Sequence, residues 1–149
     1  MPRVARVREE SPAYEVGGGR EPRWLTRADL EYVHDKRLAQ HGGLPGVNNE
    51  HLIESALARP QNLFAYVGGD LPRLAAAYAF GVAKNHGFRD ANKRTALAAC
   101  SVFLYLNGLR LEVDEHDAVA TMLELATDAI SEEGFAEWLR AHVVPRSAG

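Results

Sequence analysis

One cysteine, Cys100, stands in 149 residues, so no disulfide can form within the chain and a reducing compartment is its natural setting. No N-terminal apolar run resembles a signal peptide, and no apolar stretch is long enough to cross a bilayer. A cytoplasmic protein is expected, with no membrane contact. Excess positive charge is missing too: 17 Lys and Arg stand against 20 Asp and Glu. From Arg110 to Arg140 nine acids face only two arginines, a surface that a polyphosphate avoids, so no nucleic-acid duplex is expected there. Gly17-Gly18-Gly19 has neither the following Lys-Ser/Thr of a phosphate loop nor dinucleotide spacing. His34, His41, His51, His116 and His142 show no metal-ligand spacing and read as surface or helix-end residues.

What is present is ordinary for one globular domain: 46% hydrophobic and 25% charged residues. Residues 1–23, with three prolines and the glycine triplet, read as a flexible arm with a short strand at "YEV". The folded part runs over 24–142. Thr26 and Asp29 form a capping box for a first helix, in which Leu30, Val33, Arg37 and Leu38 share a face and Gly42-Gly43 stops the run. A second helix spans about Asn49 to Ala58, and Pro60 ends it. Pro60 to Asp70 reads as an extended loop, in which Phe64 and Tyr66 suit target contact and loop anchoring equally.

The third helix covers roughly Leu71 to Asn85, and the fourth about Asn92 to Asn107. The fourth is apolar on nearly every face, as expected of a central helix wrapped by the others. "LRLEV" reads as a short extended link. Asp114 caps a fifth helix striped by Val119, Met122, Leu123, Ala126 and Ile130. Ser131 caps a sixth, with Phe135, Trp138, Leu139 and His142 inward, and the tail 143–149 frays. The fold class is all-α. Cys100, mid-helix in an apolar run, reads as an inert core thiol.

The loop between the third and fourth helices, "NHGFRDANKRTA" from Asn85 to Ala96, is unusual. Helix N-termini carry partial positive charge and disfavour cations, yet Lys93 and Arg94 stand at one. An anion between them and the exposed N–H groups resolves the conflict, with Lys as a point charge and Arg as a bidentate fork. Asn92 suits either a cap or a further donor to that anion. Asp90 offers a hard oxygen for Mg²⁺, and His86 a general base near neutral pH. Each also has a plainer role: His86 as a helix C-cap, Asp90 as a turn residue or N-cap, Lys93 and Arg94 as solvated charges, Phe88 as a core anchor. Taken singly the plainer roles win. Their coincidence within nine residues points to phosphoryl or nucleotidyl transfer.

"HGFRDANKR", His86 to Arg94, resembles the Fic/Doc signature His-x-Phe-x-Asp/Glu-Ala/Gly-Asn-Lys/Gly-Arg, and the Doc branch in particular. Ala91 and Lys93 stand where Fic adenylyltransferases carry glycine, Leu97 replaces a second arginine, and Gly87 replaces a common proline. "IESALARPQN" agrees with Doc-type toxins, and the resemblance covers about Trp24 to His142. It implies a compact six-helix fold that uses ATP and Mg²⁺. By motif position His86 is the base, Asp90 the metal ligand, and Asn92, Lys93 and Arg94 the phosphate ligands. Leu63 to Val67 corresponds to the flap that clamps the target backbone.

The resemblance further implies a protein kinase toxin acting on a threonine of elongation factor Tu. Adenylyl transfer and a non-catalytic binding member are the alternatives. Lysine at 93 fills space that glycine leaves open, which favours a reversed ATP. Many relatives carry an inhibitory Ser/Thr-x-x-x-Glu-Gly/Asn helix. Here Ala129 precedes Glu133-Gly134, so restraint by a separate antitoxin of Phd type is expected.

Overall fold

The computed structural model describes residues 21–147. The strand expected at "YEV" and the arm up to residue 20 lie outside the described residues. These comprise six helices and two short strands: α1 (Arg27–His41), α2 (Glu50–Tyr66), α3 (Leu71–Asn85), α4 (Asn92–Leu106), β1 (Leu109–Leu111), α5 (Glu115–Ala126), α6 (Glu132–His142) and β2 (Val143–Pro145). The all-α expectation holds.

Local chemistry explains most helix starts. Thr26 and Asp29 close a reciprocal capping box on α1. Asn49, Asp70, Asp114 and Ser131 each accept the backbone N–H of the third residue of α2, α3, α5 and α6. Asp70 also takes both Nε and Nη2 of Arg140 at 2.8 Å, tying α6 to the start of α3. Nearby, Glu132 bridges Arg59 of α2 and Arg73 of α3.

The chain departs from its sequence pattern in four places. Pro60 does not end α2: the helix runs on to Tyr66, and the loop expected from Pro60 is helical for its first seven residues. Pro60 is fully buried, and Leu63 and Phe64 pack on the core, Phe64 edge-on to Trp24 at 5.7 Å. That burial, with no glycine before Gly68, outweighs a proline cost of about 3 kcal/mol.

Second, the helix wrapped by the others is α3, which packs against α2, α4, α5 and α6, with α4 at its side. Its alanines let neighbours come close, and a Cβ on Gly81 would lie 3.1 Å from Ala56 Cα. Third, α5 and the turn after it keep Met122, Ala126 and Ile130 of the expected stripe against the core, but α5 buries Ala118 and Leu125 and leaves Val119 and Leu123 exposed. Fourth, the tail does not fray at Val143. β2 pairs antiparallel with β1, Leu111 opposite Val143 and Leu109 opposite Pro145. No helix among the described residues is long and apolar enough to cross a membrane.

Candidate active site

α3 ends and α4 begins at residues that bend the chain the left-handed way. His86 caps α3 at φ 54° and Ala91 precedes α4 at φ 64°. Left-handed backbone costs a non-glycine residue about 1–2 kcal/mol, so two such residues within six mark a loop held by its surroundings. The hold is visible. Phe88 is buried, stacks on the His34 ring and pairs with Val47 in a β-bridge. Asn92 accepts the Phe88 N–H at 3.1 Å and donates to the Phe88 carbonyl at 3.0 Å.

A second segment lies along the loop. Asn48 and Asn49 donate N–H groups to the Gly87 carbonyl, and Arg89 N–H reaches the Gly46 carbonyl. Leu44 N–H reaches Asp90 Oδ2 at 3.1 Å. A Cβ on Gly43, at φ +126°, would sit 3.0 Å from the same oxygen. Residues 42–49 are therefore the strand-like companion of the motif. This corrects the flap expected at Leu63 to Val67: Leu63–Tyr66 is helical and lies at the far end of α3 from His86. Fifteen residues of α3 put roughly 22 Å between the two ends. The correction has a simple source, because α2 and α3 are antiparallel neighbours and only α2's beginning reaches the loop.

Within that frame His86 stands at the end of α3, and Asp90, Asn92, Lys93 and Arg94 stand at the start of α4. His86 is exposed at the end of α3, so its plainer role as C-cap and an accessible ring coexist. The Asp90 carboxyl is held below the usual carboxylate range, chiefly by the Leu44 N–H, then by the Ala91 N–H at 2.9 Å and the nearby Arg94 charge. It stays ionised with lone pairs to spare, as a hard metal ligand must be. Asn92 is neither the α4 cap nor a fully free donor, since its amide braces Phe88; the phosphate role expected of it is narrowed accordingly.

α4 alone among the described helices begins without a side-chain cap. Lys93 is exposed and Arg94 partly so; among the described residues neither forms a direct salt bridge, and Arg94 acts on Asp90 only through its nearby charge. They border a cleft of about 170 Å³ whose other walls are Leu97, Val119, Met122 and Leu123. That cleft is walled mostly by apolar side chains; what suits an anion is the helix start itself, where uncapped N–H groups and two cations stand together. The donor set fits Mg²⁺ and nucleotide phosphates together: one ionised carboxylate, with cations for the phosphate oxygens.

His34, expected at the surface or a helix end, lies instead in the middle of α1 and faces inward, because its ring finds a stacking partner and a backbone acceptor there. It is buried on α1 and its Nε2–H donates to the Asp90 main-chain oxygen at 2.9 Å. Its only trace in the sequence was a place beside Val33 on the inward face. His116 falls beside Asp114 and Asp117 at the exposed start of α5, where the Asp114 carboxylate already serves as cap. Cys100 is buried, with its thiol pushed up to about 12 by burial, in keeping with an inert core thiol.

Residues 24–104 match the model of the Fic/DOC family. The chain is 34% identical over 119 residues to "Protein kinase doc" of Escherichia phage P1, covering 79% of this chain and 94% of that protein. It is 41% identical over 120 residues to "Toxin Doc" of Mycolicibacterium smegmatis, covering 72% of this chain and 92% of that one. The loop from His86 to Arg94, the helices that hold it and the extent of these matches all lead to one assignment: the chain belongs to the Fic/Doc family, on its Doc branch.

Proposed function

We propose that the chain is a Doc-type toxin, an ATP- and magnesium-dependent protein kinase that phosphorylates a threonine of elongation factor Tu and so arrests translation. The observation that carries this reading is the uncapped start of α4, with two cations in its first turn that form no salt bridge, next to an ionised Asp90. Similarity to proteins named as a kinase and as a toxin supports it.

Each residue has a task. Exposed His86 accepts the proton of the acceptor hydroxyl on a ring nitrogen. The freed oxygen then bonds the terminal phosphorus of ATP, and ADP departs with the electrons of the broken bond. Lys93, Arg94 and the first N–H groups of α4 take the phosphate oxygens. Asp90 would hold Mg²⁺, which supplies charge that neutralises those oxygens. Lys93, where adenylyltransferases carry glycine, fills space against the backbone and favours the terminal phosphate facing the hydroxyl. Residues 42–49, beside the motif, take over the target-clamping role. A separate antitoxin of Phd type restrains the toxin in the cell.

The test is incubation with elongation factor Tu and ATP labelled on either the alpha or the gamma phosphate. Gamma label should reach the factor, and His86→Ala should cut transfer by about 10²–10⁴-fold. Transfer of alpha label alone would make the protein an adenylyltransferase. Growth arrest that survives His86→Ala would make it a binding protein.

A further inference from the structure

The backbone of the motif's aspartate is bonded from outside the motif. α1 carries His34 beneath the loop, where it is 3% exposed. Its imidazole lies flat on Phe88, centroids 3.8 Å apart and planes 11° from parallel. Its Nε2–H donates to the Asp90 carbonyl at 2.9 Å, one residue before Ala91 turns left-handed. Buried polar groups are placed where they find partners, and this bond is made to backbone 56 residues away.

The other bonds at Asp90 act on its side chain. Leu44 N–H takes one carboxylate oxygen and Ala91 N–H the other. Neither donor sits inside a helix: Leu44 follows the positive-φ Gly43, and Ala91 is itself left-handed. The bond from His34 joins the aspartate's own backbone to α1, a helix fixed by Leu30 and Val33 in the core. The Phe88 stack sets the ring plane and so the direction of that N–H.

We infer that His34 is a positioning residue for the transfer reaction: through the Asp90 carbonyl and the Phe88 ring it sets the direction in which Asp90 presents its carboxylate. The inference rests on the proposed role of Asp90 as magnesium ligand. Ring and donor can be separated, because phenylalanine keeps the stack without the N–H, while glutamine keeps an N–H donor without the ring.

The experiment uses the full chain with His34→Phe and His34→Gln. Amide hydrogen exchange is followed at Leu44 and Ala91 without nucleotide, and magnesium is titrated in the gamma-label assay. Core amides of α3 serve as the control for folding. In His34→Phe the Leu44 and Ala91 amides should exchange at least tenfold faster while α3 stays protected, and half-saturating magnesium should rise at least tenfold. His34→Gln should recover most of both.

Wild-type exchange at those amides in His34→Phe overturns the inference, as does loosened exchange with an unchanged magnesium midpoint. Losses in His34→Gln as deep as in His34→Phe overturn it too, and that variant decides the matter should His34→Phe not fold. Wild-type protein without magnesium-dependent transfer refutes the proposed function, and this inference with it. That failure is separate, because it is seen before any substitution is made.

Discussion

Asn92 holds Phe88 by both of its backbone polar groups, accepting the N–H at 3.1 Å and donating to the carbonyl at 3.0 Å. Phe88 is the buried pivot of the loop, so Asn92→Ala strips two partly buried groups of their partner at once. Unfolding by denaturant should show a loss of about 1–3 kcal/mol. Asn92→Asp keeps the acceptor but turns an oxygen toward the carbonyl, and should also weaken magnesium-nucleotide binding measured by calorimetry.

Gly87 is required for close approach rather than for its backbone angle. A Cβ there would lie 2.5 Å from Ile53 Cδ1 and 3.1 Å from the Ile53 nitrogen. Gly87→Ala should cost about 1–3 kcal/mol and loosen the Asn48 and Asn49 bonds to the Gly87 carbonyl. Removing Cδ1 with Ile53→Val should return part of that loss. A double-mutant cycle checks it, with coupling above about 0.5 kcal/mol expected.

Tyr78, buried at the centre of α3, accepts the Leu25 N–H at 2.9 Å and thereby fixes the entry to α1. Tyr78→Phe leaves that buried N–H without an acceptor and should destabilise by about 1–3 kcal/mol. Burial pushes the phenol up to about 12. The folded chain thus keeps a proton that the unfolded chain releases near pH 10, and stability falls as pH rises between about 10 and 12. The variant should lack that alkaline component in denaturation at stepped pH.

Asp90 gives the opposite sign in acid. The Leu44 and Ala91 N–H groups hold its carboxyl below the ordinary value, so the unfolded chain takes up its proton first as pH falls. Its contribution is complete above the ordinary carboxylate range and is lost as pH drops through the folded value. Asp90→Asn should flatten the acid limb of a pH–stability curve and, independently, abolish the magnesium dependence of nucleotide binding. An unchanged acid limb in the variant would remove the carboxylate's bonds from the account.

The short-range part of this protein was readable before folding. Thr26, Asp114 and Ser131 cap their helices because a hydroxyl or carboxylate needs only the next three residues to do so. The loop from His86 to Arg94 was readable for the same reason, its groups being covalently close and its charges at odds with a helix start. Pro60 was misjudged because its local cost is fixed by chemistry while the burial of Leu63 and Phe64 that offsets it depends on partners far away in sequence.

Distance along the chain is what hid the rest. His34 meets Asp90 across 56 residues, Leu44 meets it across 46, and Val47 pairs with Phe88 with nothing local to announce it. The motif's identity and its charges belong to nine consecutive residues. What holds its aspartate and which segment lies along it follow from packing α1 against α4 and the start of α2 against the loop. Those packing contacts join residues that no periodicity or spacing relates.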